Sequence, residues 1–329
     1  MTIEAPLLEV SDLRVSFRTR RGVMRAVDGV SFVLGRREIL GVVGESGSGK
    51  SVSLMAVMGL IDDPNAIVEG SIRFEGRELV GLADREMRRL RGGQIAMIFQ
   101  DPMTALTPVY SVGRQIVEQL RLHTDLAGCA LKARALELLE AVGIPGPRDV
   151  IERFPHQLSG GMRQRVVIAM ALSCNPALVI ADEPTTALDV TVQAAILDLI
   201  RNLRRDFGSS IILVTHNMGV VAEIADRVAV MYAGRIVEQA DRRAIFQRPR
   251  HPYTVGLLGS IPPMTGVRPR RLPSISGAPP ALDQLPPGCS FAPRCPHRSR
   301  ACVVRPEMRG DGHRYACVLA ALPTAGVLS

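Results

Sequence analysis

The string Gly44-Glu45-Ser46-Gly47-Ser48-Gly49-Lys50-Ser51 carries the most specific chemistry in the chain. Glycines at 44, 47 and 49 let the backbone curl until successive N–H groups face one point, and a helix starting there adds the positive end of its dipole. Such a concavity suits phosphate oxygens. Lys50 would reach the β- and γ-phosphates of a nucleoside triphosphate, and the Ser51 hydroxyl would ligate magnesium. Only two of the 40 basic residues are lysines, so a lysine here fits a site that wants a compact point charge and not a planar fork. Asp182 and Glu183 form a second candidate group, two carboxylates closing an apolar run. At a strand end Asp182 would hold magnesium through water, while Glu183 would orient and polarise an attacking water. Read alone, the same pair also suits a helix N-terminal cap. His216 is the third candidate, a group able to stabilise the transition state near the γ-phosphate; in isolation a histidine is as readily structural.

The elements that must position these groups follow from the hydrophobic pattern. Residues 39–43, 95–99, 178–181 and 211–214 are near-continuous apolar runs, as in strands covered on both faces, and the candidate groups lie just past three of them. Residues 7–17, 26–34 and 71–74 are alternating or β-branched stretches between Gly- and Arg-bearing turns, which predicts an antiparallel β region. Further on, Leu131, Ala135, Leu138 and Val142 share one helical face, as do Val192, Ile196, Leu199 and Leu203. The expected fold class is α/β: a core with an antiparallel β subdomain and a helical insertion at about residues 101–165. From Pro249 onward prolines crowd in (PRHPY, IPPM, RPRRLP, GAPP, LPPG) at positions a regular helix does not accept. A first domain over residues 1–259 and a loop-rich module over residues 260–329 are therefore expected.

Bulk properties bound the reading. A chain of 329 residues is long for one compact core. No apolar run approaches the roughly 20 residues of a membrane-spanning helix, and the N-terminal MTIEAPLLEV lacks the features of a signal peptide, so a cytosolic subunit is expected. In that reducing compartment six cysteines point to metal binding or plain burial rather than to a disulfide framework. The formal charge of +8 resides in the tail, where residues 241–329 hold 13 arginines against four acidic residues. Those arginines are scattered among prolines without interleaved aromatics, the pattern of a solvated surface near a membrane or partner and not of a nucleic-acid face.

With LSGGM at residues 158–162 the chain resembles the ABC ATPase family, whose signature motif this is similar to. Other family elements follow in the family's order: Gln100 in IFQDP resembles the Q-loop, Ala187-Leu188-Asp189 the D-loop, and His216 in LVTHN the switch histidine, a match over about residues 7–240. The resemblance implies a P-loop ATPase core, two of which dimerise head to tail with ATP between the phosphate loop of one and the signature of the other. Ser159, Gly160 and Gly161 would then offer a hydroxyl and N–H groups at a helix start to a γ-phosphate presented across the interface. Gln100 is expected to contact magnesium and to report nucleotide state to the helical insertion, which in the family meets the transmembrane subunits. Phe17 is a candidate for stacking on adenine, an ordinary core phenylalanine being the alternative. Asn217 stands where many members carry Asp, and the imidazole before it remains.

The tail narrows the resemblance. RHPYT at residues 250–254 and GCSFAPRCPHR at residues 288–298 resemble the ATPases of oligopeptide and dipeptide importers, which are similar over nearly the whole length. This implies a peripheral subunit on the cytoplasmic face of the cell membrane, bound to two permease subunits and paired with a second, related ATPase as a heterodimer. An extracytoplasmic peptide-binding protein would act through the permeases, and no nucleic acid is involved. Importers of nickel or another small solute are close alternatives, and a non-transport ABC ATPase is a more distant one, without visible tandem ATPase domains or coiled coils. Intact Lys50, Glu183 and His216 argue against a domain that cannot hydrolyse.

Cys289, Cys295, Cys302 and Cys317 are separated by five, six and 14 residues, with no close Cys-x-x-Cys pair of the kind structural zinc sites use. Four thiolates on irregular loops can equally hold an iron-sulfur cluster. The peptide-importer resemblance includes this pattern and implies a 4Fe-4S cluster in some members; zinc and free thiols are the alternatives. His297 and His313 lie near enough in sequence to substitute as ligands, whereas Cys129 and Cys174 fall outside the pattern. Because the phosphate loop, signature and catalytic carboxylate all precede residue 240, the nucleotide site is expected to be independent of this tail.

Overall fold

A computed structural model describes residues 5–20, 22–186, 189–261 and 274–319. In chain order the first half contains β1 (Leu8–Thr19), β2 (Gly22–Leu34), β3 (Ile39–Val43), α1 (Lys50–Val57), β4 (Ala66–Phe74), β5 (Arg77–Glu78), α2 (Asp84–Leu90), β6 (Ile95–Ile98), α3 (Pro102–Ala105), α4 (Val112–His123), α5 (Cys129–Ala141) and α6 (Pro147–Val150). The second half contains α7 (Gly160–Leu172), β7 (Leu178–Asp182), α8 (Val190–Asn202), β8 (Ser210–Thr215), α9 (Met218–Ile224), β9 (Arg227–Tyr232), β10 (Arg235–Asp241), α10 (Arg242–Gln247), α11 (Pro252–Gly259) and β11 (Arg314–Tyr315). These elements group into two compact units, one holding residues 5–7, 35–38 and 81–213, the other residues 8–34, 39–80 and 214–319.

The first unit is built on β8, β7 and β6, in that order, with β6 and β7 paired in parallel from Ile95↔Leu178 to Ile98↔Ala181. Leu178, Val179, Ile180 and Ala181 are all fully buried, which is why this run is apolar throughout and does not alternate. Five helices, α3 to α7, separate β6 from β7 along the chain. In α5 the predicted face is buried at Leu131, Ala135 and Leu138, and Val142 follows as a buried C-cap. Helix α8 buries Ile196 and Leu199 and ends at Asn202, before Leu203. Helix α7 presents no apolar stripe, because Val166, Val167, Ile168, Ala169, Ala171 and Leu172 bury it nearly all round.

The second unit has two sheets. One is antiparallel, in the order β2-β1-β4-β5, and its long strand β1 alternates buried Leu8, Val10, Leu13 and Val15 with more exposed neighbours. The other runs β11-β10-β9-β3, with β3 and β9 parallel and the remaining pairs antiparallel. All five residues of β3 are buried.

Two features of this unit depart from expectation. Residues 252–259 form α11 despite the surrounding prolines, because Pro252 occupies the first helical turn, where a missing N–H costs no intrahelical bond. His251 caps it, its Nδ1 accepting the Tyr253 N–H at 3.1 Å. The tail is also not a separate loop module at its end: β11 pairs with β10 through Glu238↔Tyr315 and Gln239↔Arg314.

Candidate nucleotide-binding site

The phosphate loop lies in the second unit, between buried β3 and the start of α1. Gly49 precedes the helix in the left-handed region at φ 97°, and a Cβ there would stand 2.6 Å from the Ala26 carbonyl oxygen. At Gly44 a Cβ would collide with the Met231 carbonyl oxygen. Only glycine lets the loop pass so close to β2 and β9. Lys50 is buried, and its Nζ is curled back into the loop, donating to the carbonyls of Gly44 at 2.7 Å and Glu45 at 2.9 Å. Ser48 is buried beside it, with Oγ 3.4 Å from Nζ, whereas Ser46 and Gly47 are exposed at the loop crest and Ser51 is half-buried. Phe17 is half-buried on β1, opposite Met24 and Ala66, which excludes it from the core. His216 is exposed directly after β8. Asn217 caps α9, its side chain accepting the Gly219 N–H at 2.9 Å; Asn serves this role as well as Asp.

In the first unit, buried Asp182 ends β7, and Glu183 follows with φ 48°, a conformation that side-chain-bearing residues rarely adopt. Strain of this kind persists where neighbours hold it, and here they do. Glu183 Oε2 accepts hydrogen bonds from Gln100 Nε2 and from Thr186 Oγ1, each at 2.9 Å. The structure therefore brings together the sequence-predicted Gln100 and Glu183 and adds Thr186, which the sequence reading missed. Ser159 is the N-cap of α7, its hydroxyl accepting the Met162 N–H at 3.3 Å. Gly160 and Gly161 then open the helix with N–H groups that have no acceptor within it. Gly161 is tight against α8, a Cβ there coming 3.1 Å from Val192. Of the D-loop residues, Ala187 and Leu188 lie outside the described residues, and Asp189 caps α8 through the Val192 N–H at 2.9 Å.

The tail reaches the phosphate loop, contrary to the expected independence. Arg294 grips the Glu45 carboxylate with both guanidinium ends, Nη1 at 2.6 Å and Nη2 at 3.0 Å. The Tyr253 hydroxyl accepts the Glu45 N–H at 2.8 Å. Burial pushes the Tyr253 phenol well above its ordinary pKa, so it stays neutral. Behind these contacts, Phe291 of the tail packs against Tyr232 and Tyr253, with ring centroids 5.3 and 5.4 Å apart. Sequence reading found RHPYT and the cysteine segment but assigned neither Tyr253 nor Arg294 to the loop.

Cys289, Cys295, Cys302 and Cys317 line one small cavity with His251 and His297. None is in a disulfide. Burial raises the thiol pKa at Cys289, Cys295 and Cys317. Among the described residues, no three His, Cys, Asp or Glu side chains converge closely enough to hold a metal ion. His313 points elsewhere, with Nε2 2.7 Å from buried Glu238. Cys129 is exposed and Cys174 half-buried, and neither lines this cavity.

A glycine-rich loop between a buried strand and a helix, with its lysine folded into it, defines a P-loop nucleotide-binding protein. Residues 27–186 match the ABC transporter family, and residues 237–302 match the oligopeptide/dipeptide transporter C-terminal region. The oligopeptide transport ATP-binding protein OppD of Mycobacterium bovis is 52% identical over 324 residues, covering 97% of this chain and 53% of the relative. The chain thus spans about half the length of that relative. The dipeptide transport ATP-binding protein DppD of Bacillus subtilis is 50% identical, covering 95% of this chain and 94% of its own. Among solved structures, a dimeric ATP-binding cassette in a post-hydrolysis state, bound to ADP and Pi, superposes with a TM-score of 0.65 at 27% identity, covering 72% of this chain and 99% of that one. The chain belongs to the ABC transporter family and carries the oligopeptide/dipeptide transporter C-terminal region.

Proposed function

We propose that this chain binds and hydrolyses ATP to drive import of di- or oligopeptides, as a peripheral subunit on the cytoplasmic face of two permeases. The observation that carries the reading is the joint presence of a complete phosphate loop with buried Lys50 and a tail that matches the peptide-transporter C-terminal region over residues 237–302. Among the described residues no helix is long and apolar enough to cross a membrane, so permeases would supply the path. A second, related ATPase would complete a heterodimer, and an extracytoplasmic binding protein would deliver peptide through the permeases. We assign the ATPase domain to residues 1–259, with its helical insertion at about 101–165, and the peptide-importer module to residues 260–329.

Roles follow from the geometry of each group. The N–H groups of residues 44–51 and the Lys50 ammonium hold the β- and γ-phosphates. Lys50 leaves its carbonyl partners for phosphate oxygens, exchanging neutral acceptors for charged ones. Ser51, Gln100 and Asp182 are the ligands proposed for magnesium, directly or through water, and bound magnesium would neutralise charge on the phosphates. Glu183, held by Gln100 and Thr186, takes the proton of the attacking water, and His216 stabilises charge at the γ-phosphate. Ser159, Gly160 and Gly161 bind the γ-phosphate of the partner domain's ATP, and Phe17 stacks on adenine.

Cys289, Cys295, Cys302 and Cys317 are proposed to hold a 4Fe-4S cluster, with structural zinc as the alternative. What supports the reading is that the four thiols line one cavity; they would have to draw together to hold either group. The cluster would cross-link a module whose own apolar core is small. ATP hydrolysis by the chain reconstituted with its permeases in liposomes, stimulated by the peptide-loaded binding protein, tests the function. Stimulation by nickel-loaded binding protein and not by peptide would overturn the substrate assignment.

A further inference from the structure

Glu45 sets a carboxylate in a cradle for a triphosphate, where its charge repels the ligand the loop is built to hold. Its N–H and its carboxylate are both held by groups from the C-terminal quarter of the chain. Its N–H is taken by the Tyr253 hydroxyl at 2.8 Å and its carboxylate by both ends of Arg294 at 2.6 and 3.0 Å. Arg294 is itself fixed: Nε donates to the Ser276 carbonyl and Nη2 to the Gly277 carbonyl, each at 3.0 Å, and Nη1 lies 3.4 Å from the Tyr232 hydroxyl. The Arg294 side chain is only 5% exposed. A guanidinium with its donors saturated and its planar fork on a carboxylate is an inflexible strut.

Arg294 also lies one residue before Cys295, in the 3-10 turn Ala292–Arg294 that begins after Phe291. The turn is pinned at both ends, by the Phe291 ring against Tyr232 and Tyr253 and by the Cys295 thiol at the cysteine cavity. The strut that neutralises Glu45 thus shares one short turn with the cysteine segment.

We propose that Arg294 is a positioning residue for nucleotide binding, holding the phosphate loop through Glu45 so that the integrity of the cysteine module is read at the ATP site. This rests on the assignment of residues 44–51 as the ATP cradle. Without the strut, the Glu45 carboxylate stands unneutralised beside the phosphates and the loop loses one anchor. The residue acts through Glu45 and not on ATP, which fixes what a test must show.

The experiment measures the dissociation constant of a fluorescent ATP analogue for the full chain and four variants, with limited proteolysis of the tail recorded in parallel. Arg294→Ala is expected to weaken binding about tenfold, the consequence of losing one charge-assisted pair of about 1.4 kcal/mol. Glu45→Gln is the reference for the double variant, because it removes the carboxylate charge while keeping an acceptor for Arg294. In Arg294→Ala/Glu45→Gln, most of the tenfold loss should disappear, because the harm done by losing Arg294 passes through the Glu45 charge. Lys50→Ala is the control for the cradle itself. If Lys50→Ala weakens binding while Arg294→Ala leaves it unchanged, the strut is refuted and the cradle stands; if Lys50→Ala has no effect, the cradle assignment fails. A double variant as weak as Arg294→Ala alone, with the tail newly protease-sensitive, would mean that Arg294 only holds the tail together and would also overturn the proposal.

Discussion

Glu183→Gln separates the two services that this carboxylate can perform. Its Oε2 accepts from Gln100 and Thr186, each at 2.9 Å. A glutamine carbonyl oxygen accepts the same two bonds in the same place, and its amide tolerates the φ of 48° as poorly or as well as the acid does. What disappears is the charge, which strengthens each bond by about 1 kcal/mol. Lost positioning alone therefore amounts to about 2 kcal/mol, or about 30-fold in rate. Loss of a general base is a larger effect, typically 10²–10⁴-fold. The expected result is a fall in kcat of about 10³-fold, with ATP affinity within about threefold of the native chain. Single-turnover hydrolysis in the assembled transporter, alongside equilibrium binding, reads both numbers. A fall of no more than about 30-fold would mean that Glu183 positions Gln100 and Thr186 and leaves proton removal to another group.

Lys50→Ala should weaken ATP binding by about 10- to 100-fold, since it deletes a buried charge from the cradle and the bonds its ammonium gives to the Gly44 and Glu45 carbonyls; isothermal titration checks it. Anaerobically purified chain should be brown, with a broad absorbance that vanishes when the four tail cysteines become serine; stoichiometric zinc without iron or sulfide would replace the cluster with a zinc site. Asp28→Asn should destabilise the unit holding β2 by about 3 kcal/mol, because Arg235 at 2.7 Å and Arg305 at 3.0 Å both lose the carboxylate they share. Desolvation raises the Asp28 pKa, but the Arg235 hydrogen bond and the charges of Arg235, Arg305 and Arg25 outweigh it, so the folded value lies below 3.8. This stability is present above the unfolded pKa and is lost as pH falls through the folded one, so acid unfolding curves for the native chain and Asp28→Asn should converge below about pH 4.

How much of this was legible depended on whether the signal was local. The run at 39–43 is β3 to the residue and that at 178–181 is β7 short of Asp182, because burial on both faces leaves no polar position to blur the pattern. The phosphate loop was legible for the same reason, its glycines, lysine and serine being contiguous. Strands β9 and β10 were not read, although Arg227–Tyr232 is nearly as apolar, because the Arg and Gly around them look like a surface turn. Proline content misled at α11, where the position of Pro252 in the first turn matters more than its presence. Arg294 and Glu45 stand 249 residues apart, and a single ion pair at that separation leaves no periodicity to find.

Strand β11 has a consequence beyond anchoring the tail. Its two residues pair with Glu238 and Gln239, and the Ala316 N–H adds a bond to the Val237 carbonyl at 2.8 Å. Without it, β10 would end its sheet with a row of open donors and acceptors, the kind of edge on which a second molecule can grow. This short strand serves as a stopper. A chain cut before residue 314 should keep its phosphate loop residues yet self-associate edge to edge with rising concentration, and a proline placed on β10 where Gln239 meets Arg314 should suppress that growth.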